Sequence, residues 1–142
     1  MFYSDKVKQA MIDAFNAHKN DKDKSGYPYF HHPLTLALQF DKEEVVCTAL
    51  LHDVVEDHGD LYPLSYIRDT YGDDIADAVA LLTHDVDVPY LDYVKEIKKN
   101  PIARLVKLAD LKHNTDLRRL NGNKPYKYQT YLEAIKILES DD

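Results

Sequence analysis

Apolar side chains recur along most of this chain at the spacing of one face of an α-helix. Near the start, Val7, Met11 and Phe15 form such a stripe after Ser4, which is a favoured residue at a helix N-terminus. The stretch of residues 45–55 is apolar enough to form a central, mostly buried helix. No run of alternating apolar and polar residues is long enough for a strand, so the pattern predicts an all-α fold.

Proline, glycine and acidic residues divide the pattern into further helices. Pro33 suits the first turn of a short second helix, and Pro63 opens another that ends at Tyr71, before Gly72. Further helices are predicted over residues 73–82, 90–99, 102–120 and 126–138. The chain has no internal repeat with a period of about 20–50 residues. We therefore expect one compact multi-helix bundle, a single domain over residues 1–142.

Composition and charge disfavour several classes of partner. The chain has 25 acidic and 18 basic residues and a formal net charge of -7, which works against binding to nucleic acid. No window approaches about 18 uninterrupted apolar residues, so no membrane span is expected. Cys47 is the only cysteine, which excludes an internal disulfide and favours the cytoplasm. The pattern does not indicate an oligomeric state.

Four ionisable residues crowd the predicted central helix, where a buried element should carry none. His52 and Asp53 interrupt its apolar sequence, and Glu56 and Asp57 follow one turn later. On a continuous helix the second pair lies directly over the first, so the carboxylates repel each other unless a cation compensates. A bound metal ion is the economical interpretation. The alternative is that the helix reaches the surface here and its charges are solvated.

Two further residues favour the metal interpretation. Asp110 interrupts the apolar run of residues 105–109, and His32 stands at the entrance of the second helix. Together with His52 and Asp53 they supply two nitrogens and two oxygens, a set suited to a divalent ion such as Mn, Fe, Co or Zn. The ligand types alone do not select among these metals. We expect the four side chains to meet in the bundle centre, ~2.0–2.3 Å from one ion.

Three longer segments narrow the range of reactions that such a metal site could catalyse. They read SGYPYFHHPLTLA (residues 25–37), ALLHDVVED (residues 49–57) and LVKLADLKHN (residues 105–114). In order and spacing they resemble the three signature regions of the RelA/SpoT-type (p)ppGpp hydrolase domain and its stand-alone small alarmone hydrolase relatives. These proteins are HD-domain metal-dependent phosphohydrolases. The resemblance covers roughly residues 5–120, which is most of the chain.

The resemblance implies an activity and a set of site residues. The family is Mn-dependent, and it removes the 3′-pyrophosphate of a guanosine alarmone and releases pyrophosphate. The positions that match its Mn ligands are His32, His52, Asp53 and Asp110. The positions that match its acidic pair for water activation and proton transfer are Glu56 and Asp57. Asn114 matches the asparagine that contacts the sugar region of the nucleotide, and the further residues expected to contact the nucleotide are Lys24, Ser25 and Lys107.

Other polar residues are expected either to assist substrate binding or to have no role in the site. The side chains that could neutralise phosphate charge are Lys24, Arg104, Lys107 and Lys112. His113 is expected to pack or to hydrogen-bond beneath Asn114, whereas His18 and His58 are expected at exposed positions near helix ends. Tyr29 lies three residues before His32, inside the first matching segment.

The chain departs from the family's pattern in the loop before the second helix. Where the closest pattern has an arginine that stacks on guanine, this chain has Asp23, which offers no guanidinium plane. Replacing Asp23 with arginine is then expected to lower KM for (p)ppGpp several-fold. Two alternatives stay open. One is an HD-family nucleotidase or phosphodiesterase with another substrate, and the other is a non-catalytic nucleotide-binding regulator, against which the intact ligand set argues.

Overall fold

The computed structural model describes residues 1–141, and its regular secondary structure there is helical, which confirms the predicted all-α class. Within this range the extended pairing is confined to one isolated bridge between Lys22 and Pro28. None of the described helices has the length and apolar character needed to cross a bilayer. In chain order, the helices of residues 1–141 are α1 (Asp5–His18), α2 (His31–Ala37), α3 (Glu43–Leu51), α4 (Val54–His58), α5 (Leu64–Tyr71), α6 (Asp73–Leu82), α7 (Tyr90–Lys98), α8 (Pro101–Asn114) and α9 (Tyr128–Glu139).

Local side chains set several of these helix ends where the sequence predicts them. Ser4 Oγ accepts a hydrogen bond from the backbone N–H of Val7 (3.2 Å) and so caps α1. Asn100 Oδ1 caps α8 in the same way, just before Pro101. Gly72 separates α5 from α6 with φ 94°, a left-handed conformation that favours glycine.

Helix α3 is the centre of the bundle. All its residues from Val45 to Leu51 are buried, and α1, α2, α6 and α8 pack around it. Side chains such as Val46 and Leu50 have no exposed surface, and burying each of them stabilises the fold by ~1.5–3 kcal/mol. The C-terminal end of α3 therefore delivers its next residues into the middle of the molecule.

The predicted continuous helix over residues 45–55 is wrong at one point. Helix α3 ends at Leu51 and α4 begins at Val54, so His52 and Asp53 form the junction between two helices. Asp53 has φ -103° and ψ -3°, in the sparsely allowed bridge region. The Nδ1 atom of His52 lies 2.7 Å from the carbonyl oxygen of Ala49, and this side-chain hydrogen bond competes with regular helix hydrogen bonding.

Helix α8 is also shorter than predicted, because it ends at Asn114 rather than near residue 120. Thr115 leaves the helical conformation, and its hydroxyl donates to the carbonyl of Leu111 (2.8 Å). Asp116 then accepts a hydrogen bond from the backbone N–H of Arg118 (3.1 Å), which forms a local turn. These side-chain contacts satisfy backbone groups at a helix end that has neither a proline nor a glycine.

A buried carboxylate joins α1 to α5 and provides a test of the fold. Asp13 Oδ2 accepts hydrogen bonds from the hydroxyls of Tyr71 (2.6 Å) and Tyr66 (2.8 Å). We expect Asp13→Ala to lower the free energy of unfolding by ~2–4 kcal/mol, since the buried Tyr71 hydroxyl loses its partner. Urea unfolding measures this loss. Asp69→Ala, at an exposed position on α5, should change stability by less than ~0.5 kcal/mol, and an equally small effect at Asp13 would contradict the prediction.

Candidate metal and active site

Three parts of the fold bring the four predicted ligand side chains together. His32 comes from α2, His52 and Asp53 from the α3–α4 junction, and Asp110 from α8. His32 Nε2 lies 2.8 Å from Asp110 Oδ1, although 78 positions separate the two residues. His52 Nε2 lies 3.1 Å from Asp53 Oδ2 and 3.6 Å from Asp110 Oδ1. Ligand atoms of both histidines and Asp53 all lie within 4.8 Å of one another.

The surroundings of His52 fit a cation. Its Nδ1 hydrogen-bonds to the carbonyl of Ala49, and its Nε2 is buried without a hydrogen-bond partner among the described residues. Burial lowers the pKa of His52, but the carboxylates of Asp53 and Asp110 together raise this pKa well above its ordinary value. The two carboxylates therefore favour a positive charge at this position, either a proton on His52 or a cation beside it. A divalent ion matches both this charge and the nitrogen and oxygen donor set.

Two residues expected to contact substrate also contact Asp110. Lys107 Nζ lies 2.9 Å from Asp110 Oδ2, and Asn114 Nδ2 donates to Asp110 Oδ1 (3.1 Å). Burial raises the pKa of Asp110, but the positive charge of Lys107 and the interactions with His32 and His52 together hold that pKa well below its ordinary range. The ammonium of Lys107 also lies 5.4 Å from the ring centre of Tyr93. Its charge is thus already engaged inside the protein, although its side chain borders the cavity described below.

Tyr29 and His113 complete the surroundings of the ligand candidates. The Tyr29 hydroxyl donates a short hydrogen bond to Asp53 Oδ2. His113 Nδ1 lies 2.6 Å from His32 Nδ1, and the two ring planes are nearly parallel, with their centres 4.8 Å apart. Burial and the positive charges of His32 and Arg119 lower the pKa of His113 to about 4. A neutral His113 accepts the Nδ1 proton of His32 and leaves His32 Nε2 facing Asp110.

Two adjoining cavities open next to these residues. The inner cavity is lined by Tyr29, Asp53, Glu56, Leu82, His84, Tyr90, Tyr93, Lys107, Asp110, Leu111, Asn114 and Tyr131. The outer cavity is lined by Lys22, Asp23, Lys24, Ser25, Tyr29, Asn114, Arg119, Leu120, Pro125 and Tyr131. Tyr29, Asn114 and Tyr131 line both, so the loop of residues 22–25 lies beside the candidate metal site.

The two acidic residues of α4 have different environments. Glu56 lines the inner cavity, and its Oε1 accepts a hydrogen bond from the backbone N–H of His84 (2.6 Å). Asp57 is not among the residues that line either cavity. Partial burial, together with the negative charges of Asp53 and Glu56, raises the pKa of Asp57 to about 6. Glu56 is therefore the better placed of the two to meet a ligand in the inner cavity.

The remaining charged candidates divide between the site and the far end of the bundle. Lys24 and Ser25 line the outer cavity. Arg104 donates to the carbonyls of Leu138 (2.7 Å) and Ser140 (3.0 Å), so its charge caps the end of α9. Lys112 Nζ lies 3.4 Å from Glu139 in the same region. Arg104 and Lys112 are thus not brought to the site by the fold.

A second cluster of histidines ties the loop to two helices. Asp21 Oδ2 lies 3.0 Å from His18 Nδ1 and 2.6 Å from His58 Nε2. The expectation of an exposed position is wrong for His18, whose side chain is buried because it packs against Tyr29 and His58. Asp21 consequently anchors the loop before α2 to the ends of α1 and α4.

Comparison with known proteins confirms the resemblance. No family model matches the chain. The guanosine-3′,5′-bis(diphosphate) 3′-pyrophosphohydrolase MESH1 of Danio rerio is 34% identical over 125 residues, which cover 79% of this chain and 67% of that protein. MESH1 of Mus musculus is 33% identical over 139 residues, which cover 84% and 75% of the two chains. The bifunctional (p)ppGpp synthase/hydrolase SpoT of Escherichia coli K12 is 29% identical over 140 residues, 86% of this chain but 19% of SpoT.

A solved structure shares the fold. It is that of a metazoan ortholog of SpoT that hydrolyzes ppGpp, and it matches with a TM-score of 0.76 at 24% identity. The match covers 100% of this chain and 90% of that chain. Sequence similarity to MESH1 over most of both chains, with a shared helical fold, leads to one conclusion. The chain belongs to the family of guanosine-3′,5′-bis(diphosphate) 3′-pyrophosphohydrolases.

Proposed function

We propose that this protein is a Mn²⁺-dependent hydrolase that removes the 3′-pyrophosphate from guanosine 3′,5′-bis(diphosphate). The observation that carries the proposal is the meeting of His32, His52, Asp53 and Asp110 beside a cavity lined by Glu56. The activity printed for the MESH1 relatives supports the choice of substrate.

The four side chains are proposed as the metal ligands. Two imidazole nitrogens and two carboxylate oxygens form a mixed donor set that Mn²⁺ accepts readily. A divalent ion held there would supply Lewis acidity, which makes water more acidic and offsets the charge that develops on a phosphoryl group. The His113 ring holds His32 in place through Nδ1, the nitrogen that does not face Asp110, and the Tyr29 hydroxyl fixes Asp53 through the same Oδ2 atom that faces His52.

Glu56 is proposed as the group that accepts a proton from the attacking water. The His84 N–H fixes one of its carboxylate oxygens, so the side chain is oriented before substrate binds. Water attacks the phosphorus atom that is bonded to the ribose 3′ oxygen, and the bond between this phosphorus and the 3′ oxygen breaks. The proton taken up by Glu56 returns to the 3′ oxygen, which yields guanosine diphosphate and pyrophosphate. Asp57, whose pKa is about 6, is the second candidate for this proton transfer.

The nucleoside part of the substrate is proposed to occupy the outer cavity. Asn114 borders both cavities and is suited to contact the ribose between the reacting phosphate and the base. Lys24 and Ser25, in the loop on the other side of this cavity, are proposed to contact the nucleotide. Lys107 contributes by balancing the charge of Asp110.

The function is tested with purified protein and a panel of phosphate esters. The panel contains (p)ppGpp, GTP, GDP, ADP and bis(p-nitrophenyl) phosphate, after chelation and re-addition of Mn²⁺, Co²⁺, Zn²⁺ or Mg²⁺. We expect pyrophosphate release from (p)ppGpp, highest with Mn²⁺ and absent after chelation. Mn²⁺-dependent hydrolysis of another ester alone would replace the proposal with a different HD-family phosphohydrolase. Nucleotide binding without any turnover would indicate a non-catalytic regulator.

Loss of the His113 ring should weaken the metal site without removing a ligand. In His113→Ala the Nδ1 proton of His32 loses its acceptor, so the orientation of the His32 ring is no longer fixed. Partners of this kind are worth ~10–100-fold in metal affinity, and we expect a decrease of that size in Mn²⁺ affinity by calorimetry. The matched control is His31→Ala, at the exposed neighbouring position. Equal affinities for His113→Ala and wild type would show that His32 needs no such support.

A further inference from the structure

The guanidinium of Arg119 is held rigidly in the turn that follows α8. Its Nε donates to the carbonyl of His113 (3.1 Å), and its Nη2 donates to Asn114 Oδ1 (3.3 Å). Its Nη1 lies 3.8 Å from Asp23 Oδ2, in the loop before α2. Hydrogen bonds to a guanidinium lie in its plane, so these contacts use its edge and do not occupy its faces.

The position of this flat cation matches a nucleobase rather than a phosphate. Arg119 lines the outer cavity together with Leu120, Pro125 and Tyr131, which give that cavity apolar and aromatic walls. Phosphate groups belong in the inner cavity, next to the ligand candidates, and Asn114 borders both spaces. A base attached to a ribose beside Asn114 would therefore lie against Arg119.

Asp23 has two tasks that an arginine could not perform. Its Oδ1 accepts hydrogen bonds from the backbone N–H groups of Ser25 (2.9 Å) and Tyr27 (3.0 Å), which shape the loop. Its Oδ2 faces the guanidinium of Arg119. The residue that departs from the family's pattern thus orients a guanidinium that comes from another part of the chain.

We propose that Arg119 stacks on the nucleobase of the substrate and that Asp23 holds Arg119 in position for this contact. The inference deepens the proposed function and rests on it, since it takes the substrate to be a nucleotide with its reacting phosphate in the inner cavity. It makes Arg119 a specificity-determining residue and Asp23 a positioning residue.

The inference reverses the expectation drawn for Asp23 from the sequence. Asp23→Arg would remove two backbone hydrogen bonds from the loop and would bring a second guanidinium against Arg119. We now expect KM for (p)ppGpp to rise in this variant, because like charges repel and Arg119 loses its anchor. A several-fold lower KM for Asp23→Arg would overturn the proposed role of Asp23.

The test compares Arg119→Ala and Arg119→Lys with wild type. We expect KM for (p)ppGpp to rise about 3- to 30-fold in both variants with kcat unchanged, since stacking needs the guanidinium plane and not the charge alone. The inhibition constant of pyrophosphate, which has no base, should stay at its wild-type value. A pyrophosphate inhibition constant that rises with KM, or an Arg119→Lys variant equal to wild type, overturns the proposal.

Two further variants examine the pairing. Arg118→Ala is the matched control, since Arg118 is 93% exposed, pairs with Asp116 and does not line the outer cavity. It should leave KM unchanged. Asp23→Asn keeps an oxygen for the loop hydrogen bonds but loses the charge, so we expect an intermediate KM. In the Arg119→Ala background, Asp23→Asn should have no further effect on KM. An additive effect on KM would show that Asp23 does not act through Arg119.

Binding of GDP distinguishes failure of this inference from failure of the proposed function. With Mn²⁺ present, wild type should bind GDP about 3- to 30-fold more tightly than Arg119→Ala does by calorimetry. If that difference is found but wild type does not hydrolyse (p)ppGpp, the proposed function fails and base stacking by Arg119 stands. If wild type hydrolyses (p)ppGpp and both proteins bind GDP equally, the role of Arg119 is refuted and the proposed function stands.

Discussion

Replacing Asp53 by asparagine should lower metal content and activity together. The carboxylate of Asp53 faces His52 Nε2 at 3.1 Å and accepts a hydrogen bond from Tyr29, so it is well oriented for a cation. Asparagine keeps the size of the side chain but removes the charge that attracts the ion. We expect Mn²⁺ affinity to fall by at least ~100-fold, more than for loss of a supporting residue. We expect turnover of (p)ppGpp to fall by ~10³-fold or more, since the ion supplies several kcal/mol of charge stabilisation.

Metal analysis of the purified variant, together with calorimetric titration, measures the first effect. Asp60→Asn, at an exposed turn after α4, is the matched control and should retain both metal and activity. Asp53→Asn protein that holds a full complement of metal while activity is lost would remove Asp53 from the ligand set. Circular dichroism should show wild-type helicity, because Asp53 lies at the junction between α3 and α4 and not within a helix.

Replacing Glu56 by glutamine should separate chemistry from metal binding. Glutamine retains an oxygen that can accept the hydrogen bond of the His84 N–H, so the side chain should keep its position. It cannot take up a proton from water at neutral pH. We expect metal content to remain at the wild-type level while kcat falls by ~10²–10⁴-fold, the contribution typical of a positioned general base.

Asp57→Asn is the natural companion of this variant. Asp57 does not line the inner cavity, so its replacement should lower kcat much less than Glu56→Gln does. A larger decrease in kcat for Asp57→Asn than for Glu56→Gln would assign the proton transfer to Asp57 and not to Glu56. Loss of metal in Glu56→Gln equal to that in Asp53→Asn would make Glu56 a ligand.

The helices could be predicted from the sequence wherever local side chains determine them. Ser4 caps α1 and Gly72 ends α5 through interactions within a few residues, which a sequence pattern reveals. The two errors, at His52 and after Asn114, share a local feature. In both places a side chain hydrogen-bonds to a backbone carbonyl three or four residues earlier, and apolar periodicity carries no signal of such a contact.

The candidate site was predictable in its ionisable residues but not in their surroundings. His52, Asp53 and Asp110 stand out because charges in apolar helices require compensation. The contacts of Tyr29 with Asp53, and of His113 with His32, depend on how side chains meet in the folded bundle, whereas Lys107 and Asp110 pair within α8. That pair is predictable from the sequence, since residues three positions apart are neighbours on one helix face.

The ligand candidates lie on α2, on the α3–α4 junction and on α8, so a bound ion would act as a cross-link between segments as far as 78 positions apart. An ion that binds the folded chain and not the unfolded one raises the free energy of unfolding, by ~2.7 kcal/mol at one hundred times its Kd. Without the ion, the repulsion between Asp53 and Asp110 opposes closure of the same three segments. Metal supply would then govern the lifetime of the protein as well as its turnover, because a chain deprived of metal unfolds more readily and becomes accessible to proteases.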